Sequence, residues 1–248
     1  TGASNAMLLN AGGAVLNQAG GTIQGGGARG ITSSAGLSLT NLGTISGTND
    51  GIGVLGGASN VLNAGTISSS TNSGVAVGNT GSTLSVVNAT GGTLAAASGG
   101  LTLGNAFDLT SGRLTLGGTN AFGLGGLLSG AGGLTVANTG IVTLSGANSF
   151  QGGVNLNAGG LILGNANALG GGNLTVGGSA SLDTTAGFNL GNNLVINGGG
   201  SLNLLGSNAL ALNGSISGAG NLIKSGAGTL ALNGANALTG NFSLAGGT

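Results

Sequence analysis

The 248-residue chain has no cysteine, proline, tryptophan, tyrosine or histidine. Without cysteine no disulfide can staple the fold, and no thiol nucleophile is available in any redox compartment. Without histidine the chain lacks the one side chain that ordinarily titrates near neutral pH. Charge is almost as scarce: Arg29, Asp50, Asp108, Arg113, Asp183 and Lys224 are the only charged side chains, and they sum to a net charge of zero. Three cations cannot build the clustered basic surface that nucleic acid requires. No apolar run approaches the roughly 18 residues of a membrane helix. No charged region followed by an apolar core opens the chain, so no signal peptide is visible. The sequence starts at Thr1 and stops at Thr248 inside a repeat, and reads as a mature or excised segment.

Glycine is abundant instead. It supplies 61 residues, beside a 40% hydrophobic fraction and a mean hydropathy of +0.45. Disordered chains combine low hydrophobicity with high net charge, the reverse of this composition. Collagen needs glycine at every third position and proline, and has neither here. The chain can bury a great deal, but its composition is not that of an ordinary globular domain.

Repetition organises it. In the first hundred residues Asn, a short spacer and Gly-Thr-Ile or Gly-Thr-Leu recur, ending at Ile23, Ile45, Ile67 and Leu94, spaced 22, 22 and 27. Seven or eight residues later comes an aliphatic preceded by a glycine: Gly30-Ile31, Gly51-Ile52, Gly74-Val75 and Gly100-Leu101. A third apolar run precedes the asparagine, as in Leu37-Ser38-Leu39 and Val61-Leu62. The second half uses Leu-x-Leu-x-Gly-x-Asn-x-Phe/Leu, at 114–122, 142–150, 202–210 and 230–238, with a variant at 161–169. Residues 129–160 align without a gap to 217–248, an offset of 217 − 129 = 88, or four times 22.

Apolar residues alternate with Thr, Ser or Asn, the period-two signature of a strand with one buried face. Strands this short are unstable alone, and glycine interrupts every window a helix would need. Stacking identical coils solves both problems, because each coil pairs its backbone with the next and aliphatic columns merge into one core. The expectation is an all-β, single-stranded parallel β-helix, a β-solenoid of about 22 residues per coil and roughly 11 coils (248/22). At a strand spacing of about 4.8 Å it would form a rod some 50 Å long. Residues 1–108 and 109–248 carry the two repeat types as one continuous stack. Asn148, Asn208 and Asn236, equivalent in the repeat, are placed to form side-chain ladders, and the five phenylalanines are expected to stack in the core.

The second-half motif resembles the passenger-associated transport repeat, also called the autotransporter-associated β-strand repeat. Its carrying residues run from Ser217 to Thr248, with a copy from Ser129 to Gly160. Gly226, Gly228, Leu230, Leu232, Gly234, Asn236 and Gly240 match the family pattern in order; its common aromatic is Leu238 in this copy and Phe150 in the other. The resemblance covers roughly 109–248, and the first hundred residues look like the repeats of large secreted β-helical adhesins. It implies a right-handed β-helix exported through an outer-membrane barrel and displayed on, or released from, the bacterial surface. The barrel itself is not in this chain, which lacks the aromatic girdles a barrel needs.

Chemistry is harder to find. Enzymes on β-helical scaffolds use acidic clusters, whereas Asp50, Asp108 and Asp183 are far apart in sequence. Asn49-Asp50-Gly51 supplies one carboxylate where calcium-binding turns use one per turn, so Asp50 reads as a turn residue. Gly25–Gly30 lacks the strand-to-helix context of a phosphate loop and reads as a plain loop. Lys224 and Arg113 are expected to face solvent. Four Asn-x-Ser/Thr sequons, at Asn88, Asn173, Asn213 and Asn241, are expected by chance in this composition. Thr-x-Thr does not recur in register, which argues against an ice-binding array. No catalytic, cofactor-binding or metal-binding residues are expected, no cofactor, no nucleic-acid partner and no membrane insertion. The function expected is a non-catalytic extracellular structural or adhesive stalk whose partner is a host or neighbouring cell surface. The alternative is a filament subunit that stacks end to end with copies of itself.

Overall fold

A computed structural model describes residues 5–55, 58–63, 65–69, 75–77, 83–88, 93–96, 101–103, 106–109 and 112–248. Between 58 and 103 it describes the backbone of the strands, with side chains only at Val61, Asn63, Thr66 and Ile67. Gly74, Gly100 and the side chain of Asn88 lie outside the described residues. Among the described residues every strand pair is parallel and there is no helix.

Each coil has three sides. One side is an eleven-stranded sheet that runs the length of the molecule, from Thr22–Gln24 to Asn236–Leu238. The second side is a four-stranded sheet from Met7–Leu9 to Val75–Val77, followed by an eight-stranded sheet from Leu101–Leu103 to Phe242–Leu244. The third side is a six-stranded sheet ending at Leu128–Ser129, and later a three-stranded sheet from Phe188–Leu190 to Leu230–Leu232. Between those two sheets, residues 145–153 and 164–173 cross the third side without a strand. Phe150, Ala168 and Leu169 fill the core there.

The register bears out the stack. Ile23, Ile45, Ile67, Leu94 and Leu116 pair in one column. Ile31, Ile52 and Val75 pair in another. The period-two pattern holds as well: Leu114 and Leu116, Leu134 and Val136, and Val154 and Leu156 point inward with Thr115, Thr135 and Asn155 between them. From Ile23 to Leu238 the eleven-stranded sheet takes ten steps over 238 − 23 = 215 residues, a mean of 21.5 per coil. Ten steps of about 4.8 Å make a rod roughly 48 Å long.

The period is not uniform. From Leu116 to Ile196 each step is 20 residues. Four steps from Leu134, through Val154, Leu174 and Leu194, reach Ile216, which is 216 − 134 = 82 residues away. The offset of 88 is therefore not four coils. The six further residues carry the chain round one corner, so Leu134 sits on the eleven-stranded sheet and its sequence equivalent Leu222 on the eight-stranded one. Likewise Leu144 lies on the eight-stranded sheet and Leu232 on the three-stranded one. The nine-residue motif consequently turns different corners. At 114–122 it leaves the eleven-stranded sheet, at 202–210 the eight-stranded sheet, and at 230–238 the three-stranded sheet. At 114–122 and 202–210 a strand, a corner and the first inward residue of the next side occur in the same order, whereas at 230–238 the corner is shorter and Asn236, opposite the buried Ile216, stands at that first inward position.

Candidate functional surface

Asparagine does form a ladder, but in the first half. Asn17, Asn41 and Asn63 end successive strands of the six-stranded sheet and are buried. Asn17 Nδ2 donates to Asn41 Oδ1 at 2.7 Å, and Asn41 Nδ2 donates to Asn63 Oδ1 at 2.8 Å. The same nitrogens reach the carbonyls of Thr44 and Thr66, each at 3.1 Å. The backbone register continues the column to Asn88. The motif then explains itself. Asparagine caps the corner, and the following glycine fits because a Cβ on Gly43 would fall against the carbonyl oxygens of Gly21 and Gln18. Threonine next faces outward, and isoleucine enters the core.

The ladder expected at Asn148, Asn208 and Asn236 does not exist. Asn236 lies on the eleven-stranded sheet opposite Ile216. Asn148 and Asn208 both follow strands of the eight-stranded sheet but lie three coils apart, so their side chains cannot meet. Asn148 instead replaces a missing strand. Its Oδ1 accepts from the Leu128 N–H at 2.9 Å and its Nδ2 donates to the Ala168 carbonyl at 2.7 Å, so it bridges the coils on either side.

Five of the six charged residues are buried or half-buried rather than displayed. Arg29 Nε donates to Asp50 Oδ2 at 2.6 Å across adjacent coils, and the Asp50 side chain is only 6% exposed. Asp50 is thus a corner residue with an ion-pair partner. Gly25–Gly30 is a loop. Arg113 does not simply face solvent: its guanidinium donates to the carbonyls of Leu134, Gly152 and Gly153 and to Thr135 Oγ1. Partial burial lowers its pKa from the ordinary arginine value. Lys224 departs further from expectation. It is 2% exposed, aligned with Leu204 below and Leu244 above, and its Nζ donates to the Gly226 carbonyl. Period two from Leu222 puts position 224 inward, a signal the sequence did carry. Asp108 is exposed on the six-stranded sheet. Asp183 is half-buried on the eight-stranded sheet, where its Oδ1 accepts from the Thr184 N–H at 2.7 Å. The three carboxylates lie on different sides and different coils. Among the described residues no group of three potential metal ligands converges.

Phe107, Phe122 and Phe150 are core residues, although in separate columns. Phe242 is 51% exposed, because its strand pairs on one edge only and its neighbour Leu244 is open as well. Outside, the structure displays uncharged polar columns. Thr22, Thr44, Thr66, Thr115 and Thr135 line the outside of the eleven-stranded sheet, with the backbone of Thr93 in register between Thr66 and Thr115, followed by Asn155 and Thr175. The next outward positions are Gln24 and Ser46, so no paired Thr-x-Thr row forms there among the described residues. Asn173, Asn213 and Asn241 are all exposed. Asn193 Nδ2 donates to Asn173 Oδ1 at 3.3 Å, and Asn233 Nδ2 to Asn213 Oδ1 at 2.9 Å.

What the arrangement offers is a long, neutral, hydroxyl- and amide-rich surface on a rigid stack. No curated protein and no solved structure matches the chain. A family model described as passenger-associated-transport-repeat matches residues 134–163 and 222–248. Each matched segment includes four strands and is longer than one coil. In these two segments, set on a parallel β-solenoid, the chain is similar to the passenger-associated transport repeat.

Proposed function

We propose that the chain is the extracellular stalk of a bacterial autotransporter-like surface protein, a non-catalytic scaffold with an adhesive outer face. The observation that carries this reading is the passenger repeat on an uninterrupted eleven-stranded sheet. Such a stack can hold its outward columns at fixed spacing over its whole length. The non-catalytic part is supported by the dispersed carboxylates and by the tie between Asp50 and Arg29. The partners that fit are host or neighbouring cell surfaces, with the outer-membrane barrel supplied by the parent protein. Antibody raised against this segment should label intact source cells, and cells lacking the segment should adhere less. Label that appears only after permeabilisation would overturn the reading.

End-to-end stacking into a filament is a second reading, favoured by the uniformly parallel pairing, which gives every coil edge the same hydrogen-bonding pattern. Sedimentation separates the two, since a chain that stays monomeric at high concentration excludes the filament.

A further inference from the structure

The sequence has four Asx-Gly pairs, Asp50-Gly51, Asn197-Gly198, Asn213-Gly214 and Asn233-Gly234. An asparagine before glycine is the least hindered setting for imide formation, because glycine puts no Cβ beside the attacking nitrogen and leaves its own backbone free to rotate. The structure separates these otherwise equal sites.

Asp50 is buried and ion-paired. Asn213 and Asn233 are joined by an amide–amide hydrogen bond of 2.9 Å. The Gly234 N–H also donates to the Leu212 carbonyl at 3.3 Å, and a Cβ on Gly214 would meet the backbone of Asn192 and Asn193. At both positions the glycine is packed on the coil below, so the peptide plane cannot turn towards the side chain without breaking the corner. Asn197 is different. It is exposed and its side-chain amide has no protein partner among the described residues. It opens a turn closed by the Gly200 N–H donating to its carbonyl at 2.9 Å, and Gly198, Gly199 and Gly200 follow it. Gly199 has φ 83°, and a Cβ on Gly199 would meet nothing within 4 Å.

We propose that Asn197 is a site of spontaneous amide-to-acid conversion, an age mark written onto the corner between the eleven- and eight-stranded sheets. Hydroxide removes the Gly198 amide proton, and the nitrogen bonds to Asn197 Cγ. The Cγ–Nδ2 bond breaks and ammonia leaves. Water then opens the cyclic imide at either carbonyl, leaving aspartate or its β-linked isomer. Both products add a fourth carboxylate to a chain that has three, and so take its net charge from zero to minus one. The β-linked product also lengthens the backbone between Ile196, which is buried, and the strand that starts at Ser201.

Incubating the folded chain in mildly alkaline buffer and mapping its peptides by mass spectrometry tests this. Asn197 is expected to convert about tenfold faster than Asn213 or Asn233, the ratio that a pair of retained hydrogen bonds would impose. In urea the three rates should converge, and Asn197→Gln should remove the dominant acidic variant on ion exchange. Asn213 or Asn233 keeping pace with Asn197 in the folded chain would overturn the assignment. So would an Asn197 that stays an amide when folded yet converts in urea.

Discussion

Replacing Asn41 by alanine removes three hydrogen bonds at once: the one accepted from Asn17 and those donated to Asn63 Oδ1 and the Thr66 carbonyl. The site is fully buried, so water cannot take over. At a net worth of about 1 kcal/mol per bond, more where a partner stays buried, the loss should be about 3 kcal/mol. Asn41→Asp should cost more at neutral pH, because an anionic oxygen then replaces the donor that faces Asn63 Oδ1 and the Thr66 carbonyl. Burial and those acceptors raise the folded pKa of the new carboxyl above its unfolded value of about 3.9. The ionised form is thus the one folding penalises. The penalty is full above the folded pKa and is relieved as pH falls through it, where the protonated carboxyl can donate again. Urea unfolding at constant m gives the magnitude. Hydrogen exchange locates it, since a stack held by nearest neighbours should open first at residues 37–47 and keep its protection at 154–204. An alanine variant within about 0.5 kcal/mol of the parent, or an aspartate variant whose stability ignores pH, would refute the ladder as a stabilising element.

Four further substitutions probe the corners and the core. Gly43→Ala should lower stability by about 1–3 kcal/mol through overpacking against the Gly21 and Gln18 carbonyls. Gly26→Ala, with no heavy atom near its Cβ position, should leave the melting curve within about 0.5 kcal/mol of the parent. Lys224→Met, which swaps a buried ammonium for an apolar chain of similar length, should stabilise by about 1 kcal/mol in denaturant titration. Lys224→Ala should destabilise by leaving a cavity between Leu204 and Leu244.

Much of the fold was legible because its signals are local. Ile23, Ile45, Ile67 and Leu94 named their own column, and Leu-x-Leu pairs named their inward positions by alternation alone. The phase of the second-half repeat was not legible. An offset of 88 counts residues, whereas the coil is set by corners, and corners here absorb variable numbers of residues. That displacement moves Asn236 off the corner of Asn148, whereas Asn208 shares the corner of Asn148 but stands three coils away. The ladder that does form, at Asn17, Asn41 and Asn63, lay in a motif whose spacing was already in register. Its role was hidden because an asparagine before a turn looks the same whether it points outward or into the corner. Lys224 was missed for another reason, since chemical type was allowed to outweigh its period-two position beside Leu222.

The corner motif has a consequence for how such a chain changes length. Residues 129–160 and 217–248 are alike enough to misalign during recombination, and an exchange between them would delete or duplicate 88 residues. Because that length is four coils plus one side, everything beyond the junction would be carried round the axis as well as along it. The core would tolerate this, since the same motif already turns different corners. A binding stripe on the outer face would not, because its two halves would end on different sides of the rod. Copy number in this architecture therefore sets two things together, how far the stalk reaches and which way its distal part looks.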